Sequence, residues 1–382
     1  MNINKKLIYK TLLTIAGVII LAAGGLMAYL VIPSGFQSRQ AEGPKVLTEL
    51  LKMAEESQPF NPDPYISSTY RPGDPLYEPL LYIQRHRQGK AEELLKPLVE
   101  QGNPDAMYWL AQITYDDSYY SSGPAAKLFQ KSAELGNPYA ALRLDSNDRE
   151  CQMFMSGYCD QKWGKLGRKL LQERAEKGDK KAEYYLLQYD ENSSEEVHKK
   201  LEQLVTENAK NHYYQPLMRM TIDYEKRWYY PYFDRKSQQS EEEILILSKL
   251  TKLMINNNYP PAFERALAYI SIYSKDYLKK TIQRSNLLSS RYFLCTYSYP
   301  ELKEHTREDI LKSAACAIGD DMITENDKDR NLSLYEYSLY EKKISPLTKE
   351  EVISARKSAR ELIKNKQPII YIDEMNPRVD IR

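Results

Sequence analysis

From residue 89 to residue 366, apolar residues return every three or four positions among charged ones, the spacing of amphipathic helices. Two stretches ahead of that region break the rhythm. Residues 11–32 (TLLTIAGVIILAAGGLMAYLVI) hold 22 positions without a charge. At helical rise they reach roughly 33 Å, enough for the hydrocarbon layer of a bilayer. Residues 33–88 carry Pro33, Pro44, Pro59, Pro62, Pro64, Pro72, Pro75 and Pro79. Proline at that density predicts a connector with one short helix, over Val46, Leu47, Leu50, Leu51 and Ala54. After residue 366, sixteen residues read as a tail.

Within the helical region one punctuation recurs. Gly102-Asn103-Pro104 and Gly136-Asn137-Pro138 stand 34 residues apart, and Gly178-Asp179 follows after another 42. Each has an alanine four residues on (Ala106, Ala140, Ala182) and a leucine eight on (Leu110, Leu144, Leu186). Val99, Ala133 and Ala175 stand three before. Physically each copy is a helical hairpin. Glycine ends the first helix in the left-handed conformation, and Asn or Asp caps the second. Alanine one turn later lets the two helices approach closely. A lone hairpin leaves an apolar face bare, so copies must stack. NNNYPPAFERALAY (256–269) keeps the cap region with Asn258 in place of glycine, and residues 204–220 form a weaker copy. Thr348 and Glu351 form a capping box that opens a last helix over 348–363.

These motifs resemble the Sel1-like repeat family, relatives of the tetratricopeptide repeats. Residues 91–115 match the family pattern at Gly102, Asn103, Ala106, Leu110, Ala111 and Tyr115. The resemblance implies an all-α fold, an alpha-alpha superhelix or solenoid. It implies protein binding and scaffolding without a reaction, with the partner often received on the concave face. The expected organisation is a cytoplasmic tail (1–10), a transmembrane helix (11–32), the connector (33–88), the solenoid with its capping helix (89–366) and the tail (367–382).

Charge settles orientation but not partner. Lys5, Lys6 and Lys10 precede the apolar stretch, which places the N-terminus in the cytoplasm and the rest on the periplasmic face of an inner membrane. The stretch is longer than the apolar part of a cleavable signal and lacks a clean small-x-small site after it. A net charge of +1 gives no electrostatic case for nucleic acid. The four cysteines (Cys151, Cys159, Cys295, Cys316) lie beyond the stretch, in a compartment where disulfides persist. Three pairings exist. Nearest-neighbour pairing is preferred, and it needs the chain to fold back around Gly157, since one continuous helix would hold Cys151 and Cys159 about 12 Å apart.

Catalytic chemistry is not visible. No phosphate loop, dinucleotide fingerprint or nucleophile elbow occurs, and His86, His198, His212 and His305 are scattered. No catalytic residue, metal site or cofactor is expected. The chain has 32 Tyr against 7 Phe, which suits half-buried packing and interfaces alike. The run RWYYPYFD puts Trp228, Tyr229, Tyr230, Tyr232 and Phe233 around Pro231. It is either core packing in a degenerate repeat or an exposed anchor for a partner. The tyrosine pairs at 119–120, 184–185 and 213–214 read as core or groove lining. Two functions follow by analogy: an envelope scaffold or regulator, or an immunity protein that neutralises a phospholipase-type effector delivered by type VI secretion into the periplasm.

Overall fold

The computed structural model describes residues 43–378 except 58, 189–193, 230–240, 292–305 and 325–328. The apolar stretch at 11–32, Cys295 and residues 230–233 therefore lie outside the described residues. Trp228 and Tyr229 fall in a described helix whose side chains at those positions are not. Among the described residues no helix is long and apolar enough to cross a membrane.

The regular structure of the described residues is helical, with no β-ladder beyond one isolated bridge, Asp373 to Asn376. Helix α1 spans Gly43–Glu56, α2 Tyr77–Gln84, α3 Gln88–Glu100, α4 Pro104–Thr114, α5 Tyr119–Glu134 and α6 Pro138–Leu142. Then come α7 (Arg149–Phe154), α8 (Gln161–Glu176), α9 (Lys180–Gln188), α10 (Glu195–Lys210) and α11 (Gln215–Tyr229). The last are α12 (Glu241–Asn256), α13 (Pro260–Arg265), α14 (Lys275–Leu288), α15 (Arg307–Thr324), α16 (Arg330–Glu341) and α17 (Lys349–Lys364). Neighbours in sequence pack on one another from α2 to α6, α8 continues from α6, and the stacking runs on to α13.

Each hairpin closes through the same backbone device. At Gly102 the turn has φ +84°, its N–H donates to Val99 O at 3.0 Å, and Asn103 N donates to Leu98 O at 3.0 Å. This pair of bonds satisfies the orphan carbonyls of the helix end. The same pair recurs at Gly136 (φ +94°) and Gly178 (φ +92°). It recurs also at His86, His212, Asn258 and Lys343, all with positive φ. The second helix is then capped. Asn103 Oδ1 accepts from Asp105 N and Ala106 N at 2.9 and 3.0 Å. Asn137 Oδ1 accepts from Ala140 N at 2.9 Å, and Asp179 Oδ1 from Ala182 N at 3.0 Å. Ala106, Ala140, Ala182 and Ala262 are fully buried.

Stacking adds bonds between copies. Ser132 Oγ, four residues before Gly136, donates to Pro104 O at 2.7 Å. Asn208, four residues before His212, donates to Lys180 O at 3.1 Å. The two bonds join equivalent positions, so the weak copy at 204–220 is stacked like the strong ones. Helices α6 and α8 approach closely at two glycines of α8. A Cβ at Gly167 would lie 2.9 Å from Pro138 O, and one at Gly164 would overlap the Asp145 carboxylate. Cys151 and Cys159 are disulfide-bonded with Cα atoms 6.0 Å apart, because α7 ends at Phe154 and a 3-10 turn over Ser156–Tyr158 folds the chain back. Cys316 is also disulfide-bonded.

Two boundaries differ from the expected organisation. The connector contains a second helix, α2, because Pro79 sits in its first turn, where no intrahelical donor is required. Residues 61–63 of the connector pack onto the far end of the array: Asn61 N donates to Asn256 O at 2.6 Å, Asn258 Nδ2 to Asp63 O at 2.8 Å, and Arg284 Nη2 to Asn61 O at 3.0 Å. Helix α1 likewise lies against α10 and α12. The tail, moreover, is not free. Ile369, Ile370, Ile372 and Asp373 have no exposed surface.

Candidate peptide-binding groove

Residues 367–372 (QPIIYI) run extended past the inner helices of successive hairpins and residues 373–376 (DEMN) close a tight turn through the Asp373–Asn376 bridge, and the surroundings satisfy most of the backbone of this segment. Gln84, at the end of α2, works in both directions. Its Nε2 donates to Ile369 O at 3.0 Å, while its Oε1 accepts from Tyr371 N at 2.7 Å and Ile372 N at 3.2 Å. Gln215, at the start of α11, donates to Tyr371 O at 2.7 Å. Tyr77 Oη donates to Pro368 O at 2.6 Å, and Tyr108 Oη of α4 to Glu374 O at 2.5 Å. Thr69 gives its N–H to Ile370 O and its hydroxyl to Ile372 O, both at 2.8 Å. Gln367 N and Ile369 N donate to Leu287 O and Leu288 O at the end of α14, each at 2.8 Å. A buried extended segment outside a sheet needs this accounting, since an unpaired backbone group costs about as much as a lost hydrogen bond.

The acidic end is read by charge. Lys181 Nζ of α9 lies 3.1 Å from Asp373 Oδ2 and 3.4 Å from Glu374 Oε2. It also faces the rings of Tyr139 and Tyr213, at 5.4 and 5.2 Å from their centroids. Tyr213 Oη donates to Asp373 Oδ2 at 2.5 Å, and Tyr70 donates to Glu374. Asn376 bonds the Tyr185 hydroxyl, and Arg378 pairs with Glu150. Burial is the largest single influence on Lys181 and works to lower its pKa, but Asp373, Tyr139, Glu374 and Tyr185 together outweigh it and the pKa lies well above its ordinary value. Burial, reinforced by Asp373, pushes the Tyr213 and Tyr185 phenols up. Near neutral pH Lys181 is therefore a fixed cation and these phenols are neutral. Just before the segment, Lys366 Nζ donates to Asn286 O at 2.8 Å, and burial holds its ammonium well below its usual pKa.

The repeat residues Gly102, Asn103, Ala106, Gly136, Asn137, Ala140, Gly178, Asp179 and Ala182 make the turns and caps that set these inner helices. Of the tyrosine pairs, Tyr184, Tyr185 and Tyr214 are buried, and Tyr213 lines the groove. Tyr120 corrects the expectation for its pair: it is 88% exposed, because the capped start of α5 at Ser118 turns it outward. Gln84, Thr69, Lys181 and Gln215 belong to no motif and were not singled out from sequence. No group of three potential metal ligands forms among the described residues.

The geometry defines a class of molecule, stacked helical hairpins closed around an extended segment. Neither a family model nor a curated protein matches the sequence. Among solved structures the chain is similar to a Sel1 repeat protein from Oxalobacter formigenes, at 16% identity and a TM-score of 0.30, over 83% of this chain and 96% of that one. The hairpin architecture rests on the turns and caps described above, and not on that likeness.

Proposed function

We propose that the chain is a non-catalytic, Sel1-like protein-binding scaffold or regulator of the cell envelope. In this reading residues 11–32 anchor it in the inner membrane and the hairpin array faces the periplasm. The observation that carries the binding role is the groove, where side chains of successive inner helices hold an extended polypeptide by its backbone. That is the chemistry of peptide recognition, in which main-chain bonds supply affinity and side-chain pockets supply selectivity. The charge pattern around residues 11–32 and the disulfide-bonded cysteines support the location.

The test is affinity capture of the full chain from detergent-solubilised membranes of its own cells. One protein is expected to co-purify in near-equal amount. Changing Trp228, Tyr230 and Tyr232 together to alanine should weaken that association by more than about 2 kcal/mol with helicity unchanged. Recovery of the chain from the soluble fraction would contradict the anchor, and recovery without a stoichiometric protein would contradict the scaffold role.

A further inference from the structure

Two features of the groove do not depend on which chain fills it. Gln84, Gln215, Tyr77, Tyr108 and Thr69 bond backbone atoms only, so they accept any extended segment of the right length. The selective features are an apolar floor that removes Ile369, Ile370 and Ile372 from solvent, and the cation Lys181 set between two tyrosine rings. An occupant without carboxylates would leave that cation largely desolvated and unpaired, a costly arrangement. The present occupant follows α17 directly and contains no helix of its own. Its hold on the array is therefore of a kind that a separate chain can reproduce.

We propose that the groove takes, from a partner protein, a segment in which an extended run of branched aliphatic residues and a tyrosine is followed by a tight turn that begins with two adjacent carboxylates, and that residues 367–376 are the built-in occupant this segment replaces. The proposal rests on the protein-binding role and narrows it to one surface and one ligand chemistry. A tethered occupant competes at an effective concentration in the millimolar range. A partner segment thus gains access when it binds more tightly than the tether holds, or when something draws the tether away. The groove is closed by default and opened by exchange.

The experiment uses the full chain and a fluorescein-labelled peptide with the sequence of residues 366–378. In the Asp373→Lys, Glu374→Lys chain, Lys181 repels the built-in segment, and the peptide should bind by anisotropy at least about tenfold more tightly than to the unaltered chain. A peptide carrying the same two lysines should not bind that variant. Adding Lys181→Glu should let the lysine-bearing segment reseat and exclude the unaltered peptide again. In the unaltered chain, the Tyr371 and Ile372 amides should exchange with deuterium faster than those of α4. Equal peptide binding by variant and unaltered chain would overturn the proposal. So would loss of helicity in the variant, or segment amides as slow as those of α4, because either makes residues 367–376 an inseparable part of the fold. Failure here with a captured protein partner leaves the scaffold role standing on another surface. Peptide exchange without any captured partner leaves the groove and removes the scaffold.

Discussion

The turns at Gly102, Gly136 and Gly178 and those at His212 and Asn258 follow one backbone path but use their turn residues differently. The glycines provide the left-handed conformation and nothing else; a Cβ added at any of the three would meet no atom within 4 Å. Asn258 has the same positive φ, and its side chain ties the array shut. Its Nδ2 donates to Asn61 O and Asp63 O at 2.9 and 2.8 Å, and its Oδ1 accepts from Arg284 Nε at 2.9 Å. His212 makes one long contact, Nδ1 to Tyr214 Oη at 3.3 Å. Where the array only stacks, the turn is bare. Where it closes on residues 61–63, the turn residue is a connector, and the strain of a side chain at positive φ is offset by bonds.

Overpacking should break both kinds of hairpin alike and most severely. Ala140→Leu puts a branched chain where no surface is exposed and should lower stability by about 2–3 kcal/mol in chemical denaturation. Tolerance of that change would count against close helix approach. The next effect separates the two kinds of turn. Asn258→Gly relieves the left-handed conformation but deletes three side-chain bonds, for a net loss of about 1–2 kcal/mol. Gly136→Ala meets no atom and should cost only the backbone term, about 1 kcal/mol. Equal losses would mean that Asn258 does no more than turn.

The smallest effect sharpens the comparison at His212. With little side-chain bonding to lose, His212→Gly should gain up to about 1 kcal/mol, against the loss at Asn258. The same residue predicts a pH dependence. Burial lowers its folded-state pKa, opposed by Asp63, so the unfolded chain takes up a proton first as the pH falls. The contribution to stability is whole above about pH 6.5 and declines as pH falls through that value toward the folded-state pKa. The His212→Gly chain should lack this decline when melting temperatures at pH 7.5 and pH 5.5 are compared.

The sequence made visible whatever depends on composition at fixed spacing. Glycine, Asn or Asp, and alanine at constant offsets gave the hairpins at 102, 136 and 178, and the Asn258 turn was legible from its flanks. The copy at 204–220 was legible only as a weak one because His212 is a poorer left-handed signal than glycine, although Asn208 before it makes the same stacking bond as Ser132. His86 and Lys343 were hidden for the same reason. The groove was hidden for another. Gln84, Lys181 and Gln215 come from three separate hairpins and meet only in the folded chain, over residues without helical period. One signal was present in Ile369-Ile370-Tyr371-Ile372, a β-type run with no partner strand. Read as part of a tail, it contributed nothing; a run of that kind must bury its backbone somewhere, and here it does so inside the array.

The placement of residues 367–376 against the inner helices is the claim on which both the closed array and the groove depend. Replacing Tyr213, whose hydroxyl lies 2.5 Å from Asp373 Oδ2 and 3.4 Å from Asn376 Nδ2, with a photo-crosslinking benzoylphenylalanine tests it directly. Irradiation of the purified full chain followed by peptide mapping should give an intramolecular cross-link to residues 373–376 as the main product. Cross-links only to neighbouring hairpins, with the 367–378 peptide recovered unmodified, would contradict it.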